Sequence, residues 1–202
     1  TGTQMRLALS EAPEIQDPLV VYAKIKNIND SSVELDKQTL DENLYYVYAK
    51  GGLDSTYTDP ALAIQRADEQ TGVVLNSAQQ YVWERGNKKT KLILNLDDIP
   101  EAVKQKFTDT STLQESLGTE GKVMDLSGCT LDSVLYEISA QRPVIAKTGS
   151  DTYVVIIGYD EYNTYLYDPQ KDESYPYGMN DSTELFEKAG NIFISYIENI
   201  SY

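Results

Sequence analysis

Five consecutive apolar residues, Tyr153 to Ile157, most constrain this fold. Half-buried strands alternate apolar and polar residues, and this run does not. It therefore predicts a central strand with both faces covered. At this length it is far too short to span a bilayer. Its neighbours supply the covering layers. Thr130 is placed to cap a helix with Leu131, Val134, Leu135 and Ile138 on one stripe, and Pro143 ends it before the strand Val144-Ile145-Ala146. Gly158-Tyr159-Asp160 reads as a turn into a strand over Thr164 to Tyr167. Asp181 and Glu184 have capping-box spacing for a helix through Lys188 with Gly190 past its end, and Ile192 to Ile197 closes as a strand. Helix, strands, helix, strand is an α+β order with an antiparallel sheet.

The first half is less patterned. Residues 1–20 read as irregular, 19–25 as a strand, and 27–43 as an Asn/Asp/Ser-rich loop. A strand over 44–50 ends at Gly51-Gly52. Asp59 and Pro60 then open a helix whose apolar residues, Ala63, Ile64 and Ala67, are mostly small enough for close packing on a sheet. With Gly72 ending the helix and strands at 73–75 and 81–83, residues 44–86 read as β-α-β-β. Val-Tyr-Ala-Lys occurs at 21–24 and 47–50, but nothing around it repeats. Lys88, Lys89 and Lys91 mark a hydrophilic crossing before the strand Leu92-Ile93-Leu94. Asp98 and Pro100 open a helix with Ile99, Val103 and Phe107 on one face, and a short helix from Thr112 to Leu117 closes at Gly118. The expected organisation is an N-terminal α/β region over 1–96 and a second unit over 97–202.

Composition removes chemistry. Among 202 residues there is no histidine, which excludes Ser-His and Cys-His nucleophile pairs, imidazole metal sites and imidazole acid–base work. One cysteine excludes an internal disulfide and a multi-Cys metal cluster, so neither a cofactor nor a metal is expected. The 32 acidic against 17 basic side chains give a net charge of −15, which repels nucleic acid and anionic membranes; neither binding to nucleic acid nor membrane insertion is expected. The start, Thr1-Gly2-Thr3, reads as that of an excised or processed fragment. Strong acidity, a single Cys and abundant Tyr and Asn fit an exported bacterial surface protein.

The runs Arg142 to Ala146, Thr152 to Asp160 and Tyr165 to Pro169 resemble the second half of the papain-like fold. Within it they are most similar to the double-glycine peptidase-like cysteine peptidases that process bacteriocin leaders. The resemblance covers residues 129–197. It implies that Tyr153, Val154, Val155, Gly158, Tyr159 and Asp160 match the strand that opens with the family's catalytic His. Asp168-Pro169 would match the Asp-Pro pair carrying the acid that orients that His. The His position itself is Thr152. The counterpart of the nucleophile helix is the one with Leu113 and Leu117, which has no Cys. A cysteine peptidase needs a thiolate beside an imidazole that also protonates the leaving amine. The resemblance thus implies a degenerate, non-catalytic member.

Each remaining candidate has a plainer reading beside the functional one. Cys129 precedes a helix start, where a thiol pKa can fall, but it also suits a small buried hydrophobe. Asp168 is a relic acid, a hard-cation ligand with Asp172, or a turn residue before Pro169. Gly51-Gly52 is a turn rather than a cleavage signal. The 16 tyrosines serve sheet packing, with Tyr153, Tyr175 and Tyr177 as candidate peptide-binding residues and Tyr175 to Gly178 as an exposed rim kept out of a strand by Pro176. The function expected is a binding or structural module holding a peptide or protein ligand. The alternative is a His-independent enzyme, either a thiol enzyme using Cys129 or a carboxylate hydrolase using a pair such as Asp160-Glu161 or Asp172-Glu173.

Overall fold

Asp59 accepts from the Ala61 amide at 2.8 Å with Pro60 in the first turn, so helix α1 (Pro60–Gln70) starts where those two residues place it. The structure, a computed structural model, describes residues 24–25, 35–36, 43–105, 109–119 and 121–198. Within them β1 (Lys24–Ile25) pairs with β2 (Leu35–Asp36). Around α1 lie β3 (Tyr45–Ala49), β4 (Gly52–Tyr57), β5 (Val73–Asn76) and β6 (Tyr81–Glu84), an antiparallel sheet in the order β4-β3-β5-β6. Strand β4 adds to the expected β-α-β-β. As an exposed edge strand, Gly-Leu-Asp-Ser-Thr-Tyr carries no apolar pattern to read. The α1 face of Ala61, Ala63, Ile64 and Ala67 is buried against this sheet. The left-handed residue at its end is Thr71 (φ 54°), not Gly72. Gly72 answers a different need: a Cβ there would lie 2.4 Å from the Tyr48 carbonyl oxygen.

The second sheet contains β7 (Leu92–Ile93), β8 (Gly121–Asp125), β9 (Val144–Lys147), β10 (Tyr153–Tyr159), β11 (Asn163–Asp168), β12 (Glu173–Gly178) and β13 (Phe193–Glu198). Its order is β12-β11-β10-β9-β13-β8, every pair antiparallel, with β7 also on β10. The helices are α2 (Glu101–Lys104), α3 (Thr110–Leu117), α4 (Leu131–Ser139) and α5 (Met179–Lys188). The protein is thus α+β with antiparallel sheets. Phe107 lies outside the described residues, and α2 is a single turn.

Three local expectations are corrected. Residues 173–178 are exposed as expected but form a strand, because β12 is an edge and Pro176, lacking an N–H, forfeits no ladder bond there. Gly158 and Tyr159 extend β10 instead of turning the chain, since β7 pairs with them. The Asp181–Glu184 capping box does not form. The chain passes from β12 through Gly178 directly into α5, which starts at Met179, and Glu184 pairs with Lys188 at 3.2 Å.

Val144, Ile145, Ala146 and Val154 to Ile157 are all buried, so the central strands are covered on both faces. Helix α5 lies on the face of Ala146. Its Phe186 meets Phe193 edge-on at 5.4 Å, Phe193 is opposite Ala146, and Ser182 bonds Thr164. Helix α3 lies on the other face, where a Cβ at Gly121 would touch Leu117 and Tyr196. Trp83 of β6 packs near Tyr136 of α4, and its indole N–H donates to the Ser133 carbonyl at 3.0 Å. One continuous core therefore runs through both sheets.

Candidate functional site

The β10–β11 ladder sets Val155 opposite Tyr167, which brings Asp168 opposite Val154. Thr152, two residues beyond Val154, shares that face by the period of the strand. Across the next ladder Tyr175 faces Leu166 and Tyr177 faces Thr164, so both tyrosines lie on the same face as Asp168. The fold thus gathers Thr152, Asp168, Tyr175 and Tyr177 on one face. Tyr153 belongs to the opposite face, where it lines a narrow cleft with Val103, Gln105, Asp151, Pro169 and Gln170.

Asp168 is committed within its own turn. It accepts from the Gln170 amide at 2.9 Å and pairs with Lys171 at 3.1 Å. Burial alone would raise its pKa, but these partners outweigh burial and hold the carboxyl below its ordinary range. Asp172 accepts from the Tyr167 hydroxyl at 3.0 Å. Tyr175 has its phenol pKa raised by burial first and by the Asp168 charge second, which places the two side chains in one electrostatic neighbourhood. Tyr177 is 37% exposed.

Thr152 is exposed, and its oxygens are held within the β9–β10 turn. The Thr148 hydroxyl lies 3.0 Å from the Thr152 hydroxyl, and the Thr148 amide donates to the Thr152 carbonyl at 2.9 Å. Among the described residues no hydrogen bond joins Thr152 to Asp168. A hydroxyl bonded to another hydroxyl has no base to activate it at neutral pH.

Cys129 lies elsewhere, buried where α1 and α4 begin, with its sulfur 3.9 Å from the Ala61 carbonyl. Burial, then the charges of Glu137, Asp59 and Asp125, pushes its thiol up to about 12, the reverse of thiolate activation. Helix α3 docks on β8, at the side of the sheet away from β11 and β12. The Asp160-Glu161 pair does not converge on a reacting centre. Asp160 accepts from the Tyr162 and Asn163 amides and the Tyr165 hydroxyl, which hold its pKa low and make it the cap of the β10–β11 turn. Among the described residues no group of three or more Cys, Asp or Glu could hold a metal ion, and no helix is long and apolar enough to cross a membrane.

Two features escaped the sequence reading. The first is the buried pair of Glu137 and Arg142, whose sequence signal was an acid inside the apolar run Val134 to Ile138. The second is an open cleft of about 480 Å³ floored by Leu131, Leu135, Tyr159 and Met179, with the Lys88–Asp132 ion pair beside it.

No family model matches the chain, and no curated protein matches it. Among solved structures it is similar to a protein described as a C39-like peptidase from Bacillus anthracis, at 20% identity and a TM-score of 0.38. The match covers 46% of this chain and 58% of that one.

Proposed function

We propose that this chain is a non-catalytic binding module of an exported bacterial protein, which holds an extended peptide or protein segment against the face carrying Thr152, Asp168, Tyr175 and Tyr177. In this reading residues 97–202 are the peptidase-like unit and residues 1–96 an accessory unit joined to it. The observation that carries the proposal is the state of Cys129. The sequence has one thiol and no imidazole, and that thiol is 1% exposed with its pKa pushed up to about 12. Thr152, at the position where the resemblance calls for His, is engaged by Thr148. The tyrosines keep a different use: rings that are part-buried and part-exposed suit apolar contact with a peptide while their hydroxyls remain wet.

Iodoacetamide labelling of the native protein between pH 5 and 9, beside a denatured control, tests the first half. Labelling only on unfolding is expected; rapid native labelling with a midpoint below the free-thiol value of about 8.5 overturns the reading. A peptide library of mixed sequence tests the second half, with cleavage followed by mass spectrometry and binding by amide chemical shifts. Shifts at Asp168 and Tyr175 without cleavage are expected. Cleavage that survives Cys129→Ala and fails on a single Asp or Glu change would instead make the chain a carboxylate hydrolase.

A further inference from the structure

Strand β8 is an edge of the large sheet, and one side chain closes part of that edge. The Gln114 side-chain amide donates to the Gly121 carbonyl at 2.9 Å and accepts from the Val123 amide at 2.9 Å. These two backbone groups flank Lys122 on the side of β8 facing away from β13. One residue of a parallel neighbouring strand would take the same two groups. Gln114 thus stands in for a strand one residue long.

The next step along the edge repeats the pattern without the plug. In a strand the N–H and C=O of one residue point to the same side, so the Val123 carbonyl and Asp125 amide also face away from β13. No described residue bonds either group. They border a shallow groove between α3 and β8 lined by Thr110, Ser111, Gln114, Glu115, Val123 and Asp125. Glu115 and Asp125 are both exposed, and among the described residues none that lines the groove is basic. A second copy of this chain, with net charge −15, would bring carboxylate against carboxylate.

We propose that this groove is a docking site for a cationic extended segment of another protein. The segment would pair with the Val123 carbonyl and Asp125 amide and set Lys or Arg beside Glu115 and Asp125. Backbone pairing supplies register, and charge selects the partner. The site lies across the sheet from the Asp168 face and does not depend on that face binding anything.

The test uses the hexapeptide Lys-Val-Lys-Val-Lys-Val, with the Glu-Val repeat and a backbone N-methylated Lys-Val peptide as controls. The expected result is a downfield shift and slowed exchange of the Asp125 amide, with an affinity that falls as salt rises. N-methylation should weaken binding at least tenfold, and the acidic peptide should not bind. Equal binding of the N-methylated peptide would mean attraction by charge alone and overturns the strand-pairing proposal. Shifts confined to Asp168 and Tyr175, or no shift at Asp125, also overturn it. So does a concentration-dependent dimer that protects the Asp125 amide without peptide.

Discussion

The Glu137 carboxylate lies wholly inside the protein, with one oxygen 2.6 Å from Nε of Arg142. The same guanidinium donates to the Val82 carbonyl at 2.8 Å and the Tyr81 carbonyl at 3.3 Å, so it fastens α4 to the edge strand β6 of the other sheet. The second carboxylate oxygen has no hydrogen-bond partner among the described residues. Removing the arginine therefore strands a wholly buried charge, whereas removing the carboxylate charge leaves a guanidinium that still reaches solvent and keeps the Val82 and Tyr81 carbonyls. Arg142→Met is expected to cost about 3–5 kcal/mol and Glu137→Gln about 1–3 kcal/mol. Urea unfolding monitored by Trp83, the sole tryptophan, reads both effects. Equal costs would mean that the pair contributes no more than packing.

Acid titration should separate two kinds of carboxylate. Asp160 is held low chiefly by the Tyr162 amide, and Asp109 chiefly by the Thr112 amide. A lowered acid adds stability that is present above its unfolded pKa of about 4 and lost as pH falls through the folded value. Glu137 is raised, by burial first with Arg142 opposing. Its contribution is full below its unfolded pKa of about 4.3 and is lost as pH rises through the folded value. Melting temperatures from pH 2 to 7 should show Asp160→Asn flattening the loss below pH 4. Glu137→Gln should instead become less destabilising, relative to wild type, as pH rises above 4.5. Parallel profiles for all three proteins would contradict the assignment.

The end of α1 offers adjacent substitutions with opposite signs. Thr71 holds a left-handed conformation (φ 54°) that a β-branched residue adopts at a cost of about 1–2 kcal/mol, so Thr71→Gly should recover part of that. At Gly72 the backbone is ordinary and the space is not, because an added Cβ would press on the Tyr48 carbonyl at 2.4 Å. Gly72→Ala should lose about 1–3 kcal/mol. Calorimetry reads both, at roughly 2–4 °C per kcal/mol for a chain of this size.

Local signals were legible where chemistry between neighbouring residues decided the structure. Asp59-Pro60 and Thr130 mark their helix starts because a cap acts within three residues, and the burial of Val154 to Ile157 follows from their run. The edge strands β4 and β12 were missed because solvent covers one side of them and no apolar pattern is required. Arg142 with Val82, and Gln114 with Val123, join segments that only the tertiary fold brings together. At the candidate site, strand alternation places Tyr153 on the face opposite Thr152, Tyr175 and Tyr177, although the sequence suggests Tyr153, Tyr175 and Tyr177 as one binding set. That α3 docks on β8 rather than beside Asp168 depended on the packing of the whole sheet.

Gly158 decides whether the crossing at 88–94 can lie on the central sheet. It pairs with Ile93, and a Cβ there would stand 2.7 Å from the Leu92 carbonyl oxygen and 2.9 Å from the Ile93 Cα. Both neighbours are backbone, so neither can swing aside as a side chain would. Beside this contact the Leu94 amide donates to the Ile157 carbonyl at 2.7 Å, and the Tyr159 hydroxyl donates to the Lys89 carbonyl. Gly158→Ala should therefore lift β7 from β10 at a cost of about 1–3 kcal/mol. Hydrogen exchange locates the effect: the Leu94 amide should lose protection while the β11–β12 ladder, joined to β10 on its other side, keeps its own. If Leu94 exchanges as slowly in the variant as in the wild type, β7 is held by something other than this close approach.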